Sequence, residues 1–230
     1  MSLVLGLPSK GRLMEKAFGW FEARGVSLRL SGAAREYAAT LEGVDGIEPR
    51  LLAAAEIPRE LALGLIHLGV TGSDLVREGL PRWSETVEEL APMGFGRADL
   101  VIAVPAFWID VETLDDLDAA CADFRARHGT RLRIATKYHR LVREHLRAAG
   151  VADYALVDSR GATEGTVAAG AAEAVADITS TGETLRDNHL RILAGPPIHS
   201  SQATLYRARG ADWGDGARGA LAALEARLGT

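Results

Sequence analysis

A single cysteine, Cys121, is the entire thiol content of this 230-residue chain. No internal disulfide framework and no cysteine-based zinc site can be built from it, and the expected role of Cys121 is that of a small buried apolar residue on a helix. No run approaches 18 apolar residues, which excludes a membrane-spanning helix. The start, MSLVLGLPSKGR, has only a few apolar residues before Pro8 and places its basic pair, Lys10 and Arg12, after them. A secretory leader carries charge first and a longer apolar stretch second, so the cytoplasm is the expected compartment. Positive charge is also scarce: 26 Lys and Arg stand against 31 Asp and Glu, a net charge of −5. That disfavours a general nucleic-acid binder, although a local cation cluster on an acidic protein can still hold small anions. The four tryptophans (Trp20, Trp83, Trp108, Trp213) are scattered and form no interleaved basic–aromatic platform for single strands. The histidines (His67, His128, His139, His145, His189, His199) show no HxH or HExxH spacing and are expected at the surface or satisfied in the core. No repeat of 20–50 residues is visible.

What the chain does contain is a regular alternation. Apolar runs at Leu3–Leu7, Arg50–Ala54, His67–Val70, Val87–Leu90, Ala98–Val104, Leu132–Thr136, Tyr154–Val157, Ala174–Ile178, Arg191–Leu193 and Gln202–Tyr206 predict strands. Between them, helical spacing or helix-start signals occupy Gly11–Arg24, Pro58–Leu65, Leu75–Glu78, Val111–His128, His139–Ala149, Thr163–Gly170 and Gly216–Leu228. Strand alternating with helix predicts an α/β protein with mixed, mainly parallel sheets. Two such series meet near residue 100 without a low-complexity linker. The expectation is two lobes hinged by crossing strands: residues 1–100 with 188–230, and residues 101–187, with a ligand cleft between them.

The most informative stretch is Val175-Ala-Asp-Ile-Thr-Ser-Thr-Gly-Glu-Thr-Leu185. An apolar strand runs into Asp177 and opens into a loop of Thr179, Ser180, Thr181, Gly182, Glu183 and Thr184. Gly182 permits a tight turn and close backbone approach. Successive N–H groups with hydroxyl donors beside them form an anion nest, to which a following helix would add its own donors. Asp177, just before the loop, is placed to accept from sugar hydroxyls. Phosphate donors beside a diol acceptor suit a ribose 5-phosphate. An ordinary polar turn between strand and helix has a similar composition, but the wider window is more specific. Glu164 lies upstream with Gly170 between, giving E-x5-G-x-A-x2-V-x-D-I-x2-T-G-x-T-L.

That extended pattern resembles the signature of the ATP phosphoribosyltransferases, and the resemblance runs along most of the chain. Leu7-Pro-Ser-Lys-Gly-Arg12 is similar to the family's N-terminal basic turn, Leu68-Gly-Val-Thr-Gly-Ser-Asp74 to its second loop, and Arg133-Ile-Ala-Thr-Lys-Tyr138 to its strand-to-helix motif in the second lobe. Ser201-Gln-Ala203 stands where the chain returns to the first lobe. The resemblance implies a fold like the type-II periplasmic binding proteins. It further implies transfer of the phosphoribosyl group of phosphoribosyl pyrophosphate (PRPP) to N1 of the adenine of ATP, with pyrophosphate departing, as the first step of histidine biosynthesis. The chain's length fits the short form of the family. For that form the resemblance implies a histidyl-tRNA-synthetase-like regulatory partner, in a hetero-octamer.

The same resemblance assigns roles. Ser180 to Thr184 would hold the 5′-phosphate, with Thr179 beside them in the PRPP site. Asp177 and Glu164 would hold the ribose hydroxyls, directly or through Mg²⁺ that rides on the substrate rather than on protein ligands alone. Lys10 and Arg12 are two cations at a helix start, where they oppose the helix dipole, a local cost that a bound polyphosphate would offset. With Arg35 they would stabilise the leaving group. Ser9, Gly11, Gly72, Ser73, Lys137 and Tyr138 would contact ATP or pyrophosphate. One departure stands out: Ala53 occupies the position of a family arginine, so Arg35, Arg50, Arg59 or a partner would have to supply that charge. Two rival readings exist. A non-catalytic two-lobed anion-binding protein would leave the Glu164–Asp177–loop constellation without purpose. A nucleobase phosphoribosyltransferase would carry two adjacent acidic residues before its loop, where this chain has Asp177-Ile178.

Overall fold

The computed structural model describes residues 2–31, 38–159 and 161–229. In chain order the elements are β1 (Leu3–Pro8), α1 (Gly11–Glu22), β2 (Ser27–Ser31), β3 (Ala38–Glu42), β4 (Ile47–Leu52), α2 (Ile57–Ala62), β5 (Leu68–Gly72), α3 (Ser73–Gly79), α4 (Trp83–Thr86), β6 (Val87–Pro92), β7 (Ala98–Pro105), α5 (Leu114–His128), β8 (Leu132–Thr136), α6 (His139–Ala148), β9 (Tyr154–Asp158), α7 (Gly165–Ala168), β10 (Ala174–Thr179), α8 (Glu183–Asp187), β11 (Leu190–Ile192), β12 (His199–Ser201), β13 (Ala203–Ala208) and α9 (Asp215–Leu228). They divide into two compact units, Met1–Arg97 with Gln202–Thr230, and Ala98–Ser201.

The first unit is built on a sheet ordered β2-β3-β4-β1-β5-β13-β6. β1 lies between β4 and β5, parallel to both, and every one of its residues is buried. This is why LVLGLP reads as a continuous apolar run: a strand covered on both faces needs no polar alternation. Its side chains still alternate. Leu3, Leu5 and Leu7 pack with Ala17 and Phe21 of α1 and with Leu221 and Leu224 of α9. Val4 packs on the other side with Ile57, Leu61 and Ile66. Each fully buried leucine contributes on the order of 1.5–3 kcal/mol. Two glycines make room for the apolar side chains packed over this sheet, those of α2 and that of Ile66. Gly6 and Gly69 are partners in register. A Cβ on Gly6 would meet Ile66 Cδ1 at 2.6 Å, and one on Gly69 would meet Ile57 Cγ2 at 2.6 Å. His67 is a satisfied core histidine. Its Nδ1 accepts from the Val4 N–H at 3.0 Å, which leaves Nε2 to donate to the Asp212 carbonyl at 3.0 Å.

The second unit is a sheet ordered β11-β7-β10-β8-β9, with β12 also pairing β7. β8, β9 and β10 are parallel, and β7 runs against β10. Helix α5 starts at Leu114 rather than Val111 because Thr113 caps it. The Thr113 Oγ1 accepts from the Asp116 N–H at 3.3 Å, and Asp116 Oδ2 accepts from the Thr113 N–H at 2.9 Å. Cys121 is fully buried on this helix, and burial, with Asp118 and Asp153 nearby, pushes its thiol up to about 12.

Three features depart from the sequence expectation. Residues 188–201 sit with the second unit, not the first, because β11 and β12 both pair with β7. The antiparallel pair β2–β3 was not legible in the sequence. Helix α7 is confined to Gly165–Ala168 within the expected Thr163–Gly170.

Candidate active site

Parallel strands bring the predicted residues to two carboxyl edges, one in each unit. In the first unit, β1, β4 and β5 end side by side. Pro8 is in register with Leu52, and the Ser9 N–H donates to the Leu52 carbonyl at 2.8 Å. Beyond these ends lie Ser9–Arg12, Ala53–Glu56 and Gly72–Ser73. Lys10 is the N-cap of α1 but makes no side-chain cap bond, and the first turn carries no acidic residue. Lys10, Gly11 and Arg12 are exposed, and Gly11 has φ +73°. The turn therefore presents two cations and the helix N-terminus together. Gly72 caps α3, while Ser73 is buried and tied to the returning strand: its N–H donates to the Gln202 carbonyl at 3.0 Å. At the family-arginine position, Ala53 donates its N–H to Glu56 Oε2 at 3.2 Å. Arg50 is engaged with Glu48 at 3.2 Å and the Leu65 carbonyl at 3.4 Å. Arg35 lies outside the described residues.

In the second unit, β8, β9 and β10 end together. Thr136 is in register with both Ala176 and Asp158, which sets Lys137, Ser159 and Asp177 at one edge. Asp177 is half-buried and its Oδ1 accepts from the Ile178 N–H at 2.9 Å. The following loop is organised by its own hydroxyls. Thr179 Oγ1 accepts from the Gly182 N–H at 2.8 Å, and Thr181 Oγ1 accepts from the Glu183 N–H at 3.3 Å. A hydroxyl that accepts from backbone keeps its own proton to donate, so the loop retains donors for an anion. Gly182 has φ +72° and is the N-cap of α8. A Cβ there would meet Arg186 Nη1 at 3.0 Å and Ile192 Cδ1 at 3.3 Å. Arg186 itself donates to the Thr181 carbonyl at 3.1 Å. A cavity of about 370 Å³ opens beside Thr179–Gly182, walled on its other side by the segment 193–198. His145 also lines it, and burial holds that imidazole below its ordinary value.

Glu164 is half-buried at the start of α7 and makes no capping bond. The neighbouring Thr163 is fully buried, and its hydroxyl pairs with that of Ser159 at 2.6 Å. The Thr166 hydroxyl donates to the Thr163 carbonyl at 2.6 Å. Thr136, also buried, accepts from the Tyr138 N–H at 2.9 Å. Sequence reasoning passed over Thr136, Ser159 and Thr163, since a lone hydroxyl in a loop carries no motif. Tyr138 is 5 % exposed at the head of α6, whereas Lys137 is exposed. Among the described residues, no group of three or more His, Cys, Asp or Glu side chains could hold a metal ion. Glu164 and Asp177 can offer hard carboxylate oxygens to a cation whose other ligands come from a substrate.

The fold and this edge define the class: a two-unit α/β protein whose strand ends carry a hydroxyl-rich loop behind a carboxylate, an arrangement that suits a sugar-phosphate transferase. A family model described as HisG, ATP phosphoribosyltransferase, matches residues 53–228. An ATP phosphoribosyltransferase of Cereibacter sphaeroides is 70 % identical over 229 residues, covering 100 % of this chain and 97 % of that protein. This chain belongs to the ATP phosphoribosyltransferase family, and it is a pentosyltransferase of the first step of histidine biosynthesis. Among solved structures, the ATP phosphoribosyl transferase (HisG:HisZ) complex from Thermotoga maritima contains a chain of the same fold, with TM-score 0.73 and 21 % identity over 99 % of this chain and 96 % of that one. The arginine-bound form of truncated ArgBP from T. maritima shares the two-lobed architecture, with TM-score 0.54 and 13 % identity over 98 % and 94 %.

Proposed function

We propose that the second unit holds the ribose 5-phosphate of PRPP at the carboxyl edge of β8, β9 and β10. The loop Thr179–Thr184 takes the 5′-phosphate, and Asp177 and Glu164 take the ribose hydroxyls. The observation that carries this reading is the hydroxyl-ordered loop with Gly182 at φ +72°, directly after Asp177. Lys10 and Arg12, on the basic turn of the first unit, counter the charge that builds on the departing pyrophosphate. Arg35 shares that task. Ser9, Gly11, Gly72 and Lys137 contribute to the polyphosphate and nucleotide contacts.

The reaction breaks the C1–O bond to pyrophosphate and forms a bond from C1 to N1 of adenine. No covalent protein nucleophile is needed, so these residues act by positioning and by electrostatic stabilisation. Asp177 and Glu164 would help hold a Mg²⁺ ion brought in on the substrate's oxygens, and such an ion would supply further positive charge to the leaving group. The HisG:HisZ complex of the T. maritima relative supports a HisZ partner for this chain; that the partner is histidyl-tRNA-synthetase-like, that the assembly is a hetero-octamer and that it works in the cytoplasm are what the family resemblance implies.

The test is steady-state formation of phosphoribosyl-ATP, followed by the absorbance of the N1-substituted adenine, with wild type and with Lys10→Ala/Arg12→Ala, each with and without the partner. Loss of turnover in the double variant, with ribose 5-phosphate binding retained, is expected. Full turnover would contradict the leaving-group role.

A further inference from the structure

Exposed arginines elsewhere on this chain pair with an acid of their own, as Arg82 does with Glu85 and Arg127 with Asp123. At the end of β13 that balance fails. Arg207, Arg209 and Arg218 line one recess of about 320 Å³ in the first unit, and Glu88 is the one acid among its described lining residues. Asp212 and Asp215, close by in sequence, do not line it. Glu88 Oε2 accepts from Arg207 Nη2 and lies 3.6 Å from Arg209 Nη1. Three guanidiniums against one carboxylate leave two positive charges in surplus, on a chain whose net charge is −5. The recess is remote from the strand ends of the candidate site. β13 runs antiparallel to β5, from Ala203 opposite Gly72 to Arg207 opposite Leu68, so about 13 Å of strand separates the recess from Gly72.

Two of the three guanidiniums are fixed by main chain through Nε. Arg209 Nε donates to the Ser84 carbonyl at 3.1 Å, and Arg218 Nε donates to the Trp213 carbonyl at 2.5 Å. An arginine anchored at Nε keeps the N–H groups of both Nη atoms for a ligand, and the anchoring lowers the ordering cost of binding. Trp213 is fixed as well. Its Nε1 donates to the Ala208 carbonyl at 2.9 Å, and its ring meets His67 edge-on at 5.0 Å. With Leu221 it gives the recess an apolar wall. A guanidinium fork matches the paired oxygens of a carboxylate or a phosphate. A surplus of two charges selects between them: a phosphate monoester carries about −1.5 to −2 at neutral pH, a single carboxylate only half as much. We infer that this recess is an anion site separate from the strand ends, and that it takes a small phosphate monoester. The phosphate sits among Arg207, Arg209 and Arg218, and the apolar part of the molecule lies against Trp213 and Leu221.

The experiment titrates phenyl phosphate into the chain and follows the Trp213 indole N–H resonance, identified by its loss in Trp213→Phe. That reporter separates the recess from the loop Thr179–Thr184, which lies in the other unit and offers phosphate donors of its own. Wild type is expected to show a saturable shift, unchanged in Lys10→Ala/Arg12→Ala. Arg218→Gln and Arg209→Gln are each expected to weaken binding about tenfold, as for loss of hydrogen bonds to a charged group. In both, the resonance without probe stays at its wild-type position, which reports an intact recess. Arg218→Lys, which keeps the charge and loses the fork, is expected to fall between wild type and Arg218→Gln, and phenyl sulfate, with one charge, to bind more weakly than phenyl phosphate. The absence of a saturable shift in wild type would overturn the inference. So would glutamine variants that bind as tightly as wild type, or uncharged phenol giving the same shift with the same affinity.

Discussion

Arg133 and Glu173 clasp each other by side chain and by backbone. Arg133 Nη2 meets Glu173 Oε1 at 2.5 Å, Arg133 Nε and its main-chain N–H both donate to Glu173 Oε2, at 3.1 and 2.8 Å, and the Glu173 N–H returns a bond to the Arg133 carbonyl at 2.9 Å. Arg133 also donates to the Gly170 carbonyl at 3.1 Å. The clasp fixes the entry of β10 against the start of β8, and so sets the register that delivers Asp177 beside Lys137. Burial of Glu173 works against its ionised form, but the Arg133 guanidinium and N–H outweigh it and hold the carboxyl below its ordinary value of 4.5. A folded-state pKa below the unfolded one gives stability that is full above the unfolded value and is lost as pH falls through the folded one. Glu173→Gln is therefore expected to cost about 1–2 kcal/mol at neutral pH, discounted for the partial exposure of Arg133. It should also flatten the acid limb of the stability curve. Urea unfolding at pH 7 and at pH 4 checks both.

Asp177 is the acceptor assigned to the ribose. Asp177→Asn keeps the shape and removes the charge. It is expected to lower kcat/KM for PRPP about 10- to 100-fold, the range for loss of hydrogen bonds to a charged group, while KM for ATP stays unchanged. Initial-rate kinetics with each substrate varied in turn separates the two.

Gly182 combines φ +72° with a side-chain neighbour at 3.0 Å. Gly182→Ala meets the left-handed backbone penalty of roughly 1–2 kcal/mol and presses on Arg186, which braces the Thr181 carbonyl. The expected outcome is weaker PRPP and ribose 5-phosphate binding, by about tenfold, read by calorimetry.

The Ser159–Thr163 hydroxyl pair ties down the residue just before Glu164. Thr163→Val keeps the volume and orphans the buried Ser159 hydroxyl, a cost of about 1–3 kcal/mol. The expected kinetic signature is a raised KM for PRPP, with Thr163→Ser restoring the wild-type value. A loss of thermal stability without change in KM would assign the pair to folding alone.

The fold was legible where burial is symmetric or strictly periodic. β1, β7, β8 and the first half of β10 read as apolar runs because both of their faces are covered there. β2 and β3 did not, since Arg29, Leu30 and Thr40 are exposed and blur the alternation. The chain returns to the first unit at Gln202 rather than at residue 188 because β11 and β12 choose β7 as partner, a long-range pairing that no local pattern encodes. The candidate loop Thr179–Thr184 and Asp177 are legible in the sequence, since the phosphate chemistry proposed for them needs glycine and hydroxyls close together in sequence. The supports were not: the clasp of Arg133 to Glu173 and the Ser159–Thr163 pair join residues whose relation appears only once β8, β9 and β10 lie side by side.

The most direct measurement is the crystal structure of the chain soaked with PRPP. The 5′-phosphate is expected over Thr179–Thr184, with the ribose hydroxyls against Asp177 and Glu164. A sugar phosphate bound elsewhere, with the Thr179 and Thr181 hydroxyls still serving only the Gly182 and Glu183 N–H groups, would contradict the account.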